Sequence, residues 1–193
     1  MNRIQDAPGA RLFAIRQAWP GDCNAIRDFL ARLSPRTCYL RFFTGAPGMT
    51  AAMLRLLAGD GPGLDVVLAI HGGVIIGHAM AADATGQPGG QVMDIGVVVT
   101  DGWQGRGVGS ALVRALTGRA LDRGVSALAM DVLPENRRVL AMIARRWPEA
   151  RYDHPGDYLT IEVQLRPAPA RQALAVPVAI AAGVRKPGIR ATA

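Results

Sequence analysis

Three glycines at alternate positions follow an apolar β-branched run in the stretch Val97-Val98-Val99-Thr100-Asp101-Gly102-Trp103-Gln104-Gly105-Arg106-Gly107-Val108-Gly109-Ser110. The run stops at a turn signal, Asp101-Gly102, and a helical pattern begins after the glycines. Strand, Gly-rich loop and helix N-terminus in that order make an anion site. The bare loop N–H groups and the positive end of the helix dipole both face a phosphate. Gly105, Gly107 and Gly109 let a ligand approach the backbone closely. Spacing narrows the ligand. A Walker loop needs Lys and then Ser or Thr after its last glycine, whereas Val108 follows Gly107 and Ser110 follows Gly109. The dinucleotide fingerprint needs Gly or Ala three residues after its second glycine, and Ser110 or Leu112 stands there. The stretch predicts a loop that holds a pyrophosphate by neither of those patterns.

A carboxylate sits just upstream, in Met93-Asp94-Ile95-Gly96-Val97-Val98-Val99. Asp94 inside an otherwise apolar strand is costly unless it is partnered or wet, and such carboxylates mark functional sites only probabilistically. It is either a working group or a structural Asp, paired with an Arg or exposed at the solvent end of the strand.

The elements that must position these groups read as follows. Residues 12–16 are a first strand. Pro20-Gly21 turns the chain and Asp22 caps a helix to about Leu33. Ser34-Pro35 restarts a helix, Ser at the cap and Pro at its first position, through Tyr39, Phe42 and Phe43, whose helical spacing predicts core packing. Thr50 caps a helix to Leu57. Residues 64–70 and 74–82 form a hairpin around His71-Gly72-Gly73. Residues 92–99 are the central strand, and a helix follows to Arg123-Gly124. Residues 127–132 are a strand, Pro134 precedes a helix to about Arg146, and residues 151–153 and 159–165 form a last hairpin. His78 reads as a satisfied structural group rather than a ligand.

Composition fits one domain of 193 residues. Only 5% of the chain is aromatic, so aliphatic residues must build the core. The net charge of +7 is misleading as a guide to partners. Arg166, Arg171, Arg185, Lys186 and Arg190 carry five of those charges in an acid-free tail, which leaves +2 for residues 1–165. The tail also holds Pro167, Pro169, Pro177 and Pro187 among many alanines and reads as disordered. The folded part has no basic stripe and the tail has no aromatic stacking residues, which argues against nucleic acid as a partner. Cys23 and Cys38 have no paired-motif spacing, and His71, His78 and His154 show no metal-ligand spacing with them. Reduced cysteines, no signal-peptide core and no apolar run of about 18 residues point to the cytoplasm and to no membrane span.

Gln104-x-x-Gly107-x-Gly109 resembles the coenzyme A loop of the GNAT superfamily of N-acetyltransferases. The order of elements over residues 12–165 also resembles the GNAT fold, an α/β (α+β) architecture with a central twisted mixed sheet flanked by helices. Met130-Asp131-Val132-Leu133-Pro134-Glu135-Asn136-Arg137-Arg138 resembles the family's strand-then-Asn segment. Leu33-Ser34-Pro35-Arg36-Thr37-Cys38-Tyr39-Leu40-Arg41-Phe42-Phe43 is similar to a segment of a bacterial subset that includes the acetyltransferase domains of protein-lysine acetyltransferases.

The resemblance implies acetyl-CoA as co-substrate, no metal, and transfer of the acetyl group to a primary amine, of a protein lysine or a small molecule, by direct attack on the thioester. It implies that Gln104, Gly105, Arg106, Gly107, Val108, Gly109 and Ser110 hold the pyrophosphate. The backbone of Val97, Val98 and Val99 then binds the pantetheine arm, where the central strand splays from the next, and Asn136 lies near the coenzyme. Asp94 takes the place of a Glu in the subset and becomes the candidate base, one methylene shorter, so that a water relays the proton. The family's Tyr acid is replaced by Ile143, and Arg146-Trp147-Pro148 stands where the family ends this helix with a Gly-aromatic pair. The departing thiol, with a pKa near ~8.5, needs no strong acid. A coenzyme-binding module without turnover is the alternative, suggested by the shortened carboxylate and the missing Tyr.

The domain reading is residues 1–166 for the acetyltransferase unit and 167–193 for the tail. An Ala/Pro-rich segment buries little. Truncation after Arg166 is therefore expected to leave both the melting temperature and the affinity for coenzyme A nearly unchanged. Thermal denaturation and titration of the shortened chain check this, and a large loss of either would show that the tail docks on the fold.

Overall fold

Aliphatic alternation, two turn-punctuated hairpins and five helical segments produce a seven-stranded mixed sheet with helices on both faces in the computed structural model, which describes residues 12–44, 48–84 and 91–165. The tail after Leu165 lies outside the described residues. The strands are β1 (Ala14–Gln17), β2 (Leu64–His71), β3 (Val74–Asp83), β4 (Val92–Val99), β5 (Ala127–Val132), β6 (Arg151–Asp153) and β7 (Leu159–Gln164). The helices are α1 (Cys23–Ala31), α2 (Pro35–Phe42), α3 (Ala51–Leu57), α4 (Val108–Asp122) and α5 (Arg137–Arg146). The sheet order is β1-β2-β3-β4-β5-β7-β6. Every pairing is antiparallel except that of β4 with β5.

Strand alternation sends successive side chains to opposite faces, and two cores follow. Met93 and Val99 of β4 join Leu112 and Leu116 of α4 and Ile143 of α5 on one face. Val98 joins Ile26 and Phe29 of α1, Cys38 of α2 and Leu54 of α3 on the other. Arg119 of α4 clips its helix to the sheet, its Nε 2.7 Å from both carboxylate oxygens of the buried Asp65 on β2.

Caps behave as local chemistry dictates for α2 and α3, where the Ser34 and Thr50 hydroxyls accept the N–H of Thr37 and Met53 at 3.2 Å each. Asp22 departs from expectation. Its carboxylate takes a bidentate bond from Arg16 at 2.7 Å and the Trp19 N–H at 3.0 Å, so it closes the preceding turn and leaves α1 without a side-chain cap. The charged fork outcompetes a backbone N–H for the same oxygens. Helix α5 starts three residues after Pro134, with Asn136 as its cap. Of the three aromatics on α2, only Phe42 packs against a core, while Tyr39 and Phe43 are each 40% exposed. Phe43 ends α2 at φ 60°, a strained choice for a bulky residue. Its ring stacks on Tyr158, with centroids 5.8 Å apart, which ties the end of α2 to the loop before β7.

A polar clip fixes the start of α2 to the end of β4. The residues after β4 form a 3-10 turn, Asp101–Trp103, that aims the Asp101 carboxylate at α2. One oxygen accepts the hydroxyls of Ser34 and Thr37 at 2.8 Å each, and the other accepts the Ser34 N–H at 3.2 Å. Burial pushes the Asp101 pKa up, but the bonds from Ser34 and Thr37 outweigh it and hold the carboxyl below its ordinary value. A depressed carboxylate pKa contributes stability above the unfolded value, lost as pH falls through the folded one. Asp101→Ala is expected to cost about 1–2 kcal/mol, three bonds at an exposed site. A lowered denaturant midpoint at unchanged slope is the measurement, with the difference from wild type shrinking at acid pH.

Candidate active site

The cleft begins where β4 loses β5. The two strands pair only at Val92↔Ala127, Met93↔Leu128 and Asp94↔Ala129, after which they diverge. On its other side β4 stays paired with β3 from Met93 to Val99. Residues 95–99 thus keep one edge of a central strand without a strand partner, although backbone N–H and C=O groups demand one. The gap is a cleft of about 520 Å³. Val97, Val98 and Val99 line it along β4, Met130, Asp131 and Val132 along β5, and the Gly loop closes one end.

Gly105 and Gly107 sit at φ 76° and 82°, the left-handed region that glycine enters without strain. A Cβ at either would meet no heavy atom within 4 Å, so the space above the loop is open. Gly107 is the N-cap of α4 and has no side chain to satisfy the first N–H groups of the helix. Those groups are left for an anion.

Gln104, which lines the cleft, also braces it. Its Nε2 donates to the Val99 carbonyl and to the Thr37 hydroxyl at 3.1 Å each, and its Oε1 accepts from Arg138 Nη1 at 3.1 Å. The amide therefore joins the end of β4, the start of α2 and the start of α5 around the cleft mouth. Sequence reading placed Gln104 with the pyrophosphate and missed this bracing role. Its partners Thr37 and Arg138 also line the cleft, and neither carries a signal in the sequence, because their pairing with Gln104 is made by the fold.

The other expected residues fall as follows. Gln104, Gly105, Gly107, Gly109, Ser110 and Asn136 line the cleft. The Asn136 side chain accepts the Val139 N–H at 3.4 Å, so it caps α5 from within the cleft wall. Arg106 and Val108 stand apart from the lining. Arg106 places its guanidinium 5.2 Å from the Trp103 ring, and Val108 is 1% exposed in the core. Ile143 is buried and lines the cleft, so no phenol occupies that wall. Arg145 joins Arg138 among the lining residues.

Asp94 occupies the last paired position before the strands part. It is exposed, which resolves the cost of a carboxylate in an apolar strand. It lies outside the cleft lining, whereas Asp131 lies within it. Burial first, and then the neighbouring charge of Asp131, push the Asp94 pKa up. Asp131 itself accepts the Thr160 hydroxyl at 2.8 Å. His78 is 2% exposed and its Nε2 lies 2.8 Å from the Leu57 carbonyl. Burial pulls its pKa down to about 4, so it is a neutral structural group at pH 7, as its position suggested. Among the described residues no cluster of His, Cys, Asp or Glu has the makings of a metal site, and no helix is long and apolar enough to cross a membrane.

Comparison with known proteins agrees with this geometry. The GNAT domain of PAT from S. lividans superposes with a TM-score of 0.70 at 24% identity, over 78% of this chain and 89% of that one. The yncA protein of Salmonella typhimurium, solved with its cofactor acetyl-CoA, superposes at 0.61 with 20% identity, over 83% and 98%. A cAMP-binding acyltransferase from Mycobacterium smegmatis gives 0.55 at 26% identity; it shares 80% of this chain but only 44% of its own length. No curated protein sequence matches significantly. The model of the acetyltransferase (GNAT) family matches residues 32–146, which span α2 through α5 and carry all of the cleft lining but Trp147. A strand that parts from its neighbour beside a glycine-capped helix is thus the family's fold as well as its sequence pattern, and the chain belongs to the GNAT family of acetyltransferases.

Proposed function

We propose that this protein is an acetyl-CoA-dependent N-acetyltransferase that acts on a primary amine, on a protein lysine or a small molecule. The observation that carries the reading is the unpartnered edge of β4 at residues 95–99, which runs directly into the Gly loop. A pantetheine arm completes that edge with its amides, and a pyrophosphate takes the free N–H groups at Gly107 and the start of α4. Arg138 and Arg145 add positive charge to the same wall.

Only a free amine attacks a carbonyl, so the incoming ammonium must lose a proton. Asp94 accepts it through one water, because it stands at the base of the splay and outside the lining. Its raised pKa makes it a stronger base than an ordinary Asp. The amine nitrogen bonds the acyl carbon, the C–S bond breaks, the thiolate leaves with its pair, and the second proton lost by the nitrogen on forming the amide passes to the thiolate directly or by way of solvent. A β4 backbone N–H polarises the carbonyl. The second reading, a coenzyme-binding module without turnover, draws on the distance of Asp94 from the cleft lining and on Ile143. Thiol release over a panel of peptides, polyamines, aminoglycosides and amino acids separates the two. A cytoplasmic setting is part of the proposal.

Coenzyme A is expected to raise the melting temperature, as any ligand of the native state does. Gly107→Glu places bulk and negative charge at the pyrophosphate and should abolish the shift. A folded variant with the wild-type shift would overturn the loop assignment.

Asp94→Asn keeps shape without basicity, and turnover is expected to fall by about 10²–10⁴ while coenzyme binding survives. The wild-type rate should rise with pH through one ionisation displaced above the ordinary Asp value. The variant should lose that limb, and Asp94→Glu should restore it. Wild-type turnover in the Asn variant would remove Asp94 as base.

A further inference from the structure

Among the described residues Arg41 is a cation without a counter-ion inside the cleft. It lies in the last turn of α2 and lines the cavity. Its guanidinium presses against the bare backbone of Gly96. A Cβ built there would collide with the Arg41 Nη2, Cζ and Nη1 atoms. Glycine is a poor strand residue, and in a central strand it marks a close approach; here Arg41 is what approaches. Its Nε is buried with no hydrogen-bond partner.

Among the described residues no acid forms an ion pair with Arg41. Asp101 serves Ser34 and Thr37, and Asp131 serves Thr160. Asp94 shares a β4 face with Gly96, but no ion pair joins it to Arg41 among the described residues. The titratable group facing it from β3, His78, is neutral at pH 7 and supplies no anion. Phe42 offers its ring 5.1 Å away, a partial compensation only. Desolvation lowers the Arg41 pKa, the mark of a charge held without a partner. A guanidinium stays charged regardless and is costly to desolvate unless an anion meets it.

We infer that Arg41 is a carboxylate-binding residue of the transfer cleft, so that one of the two substrates carries a carboxylate close to the reacting centre. The inference rests on the acyl-transfer reading above and narrows its substrate class. Position favours carboxylate over phosphate. Gly96 lies about 10 Å up β4 from its end at Val99, away from the loop that takes the pyrophosphate and two residues from Asp94, at the reacting end. A planar fork matches a planar carboxylate. Two sources share this chemistry. One is a dicarboxylic acyl group on the coenzyme, such as succinyl or malonyl. The other is an acceptor amine with a neighbouring carboxylate, such as a free amino acid.

Paired substrates test it. On the donor side, succinyl-CoA is compared with its neutral counterpart butyryl-CoA. On the acceptor side, amino acids are compared with their amides, with acetyl-CoA as donor. Each pair is measured by kcat/KM and by thermal shift, the acceptors in the presence of coenzyme A. One arm is expected to show a preference for the carboxylate of about 10- to 100-fold, the range for a charge-assisted bond. Arg41→Gln should collapse that ratio towards one, and Arg41→Lys should restore part of it. The melting temperature of Arg41→Gln without ligand should stay level or rise, because an unpaired charge has been removed; a merely structural Arg would lower it. A wild-type ratio near one in both arms, by turnover and by binding, overturns the inference, as does a preference that Arg41→Gln leaves intact. The acyl-transfer reading fails separately, if coenzyme A gives no thermal shift and no ester releases thiol.

Discussion

The parting of β4 from β5 after Asp94 is the constraint on which the rest depends. A central strand cannot leave a row of backbone donors and acceptors bare unless something completes them. β3 pairs with β4 along its other edge from Met93 to Val99, past the point where β5 departs. Val97 and Val99 on β4 and Met130 and Val132 on β5 give both strands of the cleft an apolar lining beside the Asp131 carboxylate. The strand edge supplies polarity only through its backbone, which suits an extended, amide-bearing ligand laid along it.

Holding the mouth of that gap takes polar contacts over long sequence distances. Ser34 and Asp101 are 67 residues apart and meet at 2.8 Å. Gln104 then ties the end of β4, Thr37 of α2 and Arg138 of α5 into one frame. Each bond is modest on its own. Together they set the orientation of the Gly loop, whose glycines contribute freedom of φ and no side-chain contacts. The loop is precise because its surroundings are fastened.

The charges of the cleft are arranged with an asymmetry. At the base of the splay stands Asp94, whose pKa is pushed up by burial and then by the neighbouring charge of Asp131. On the α2 side stands Arg41, with its weight on Gly96. Among the described residues no ion pair joins the Arg41 guanidinium to either Asp94 or Asp131.

The sequence by itself determined the elements and the loop. Period-2 and helical patterning located all seven strands and five helices, because apolar spacing and turn residues are local properties. Gly105 and Gly107 were legible for the same reason, since their φ values are set by the loop they occupy. Sequence also marked Ser34 and Thr50 as caps, whose bonds span three residues. Tertiary structure decided what each polar group does. Asp22 went to Arg16, because a guanidinium brought alongside outbids a backbone N–H. Gln104 went to three neighbours, two of them on helices remote in the chain. Arg41 and Gly96 carried no signal of their own in the sequence. Only the packing of α2 across β4 makes them a pair, since neither residue carries in its own neighbourhood any trace of the other.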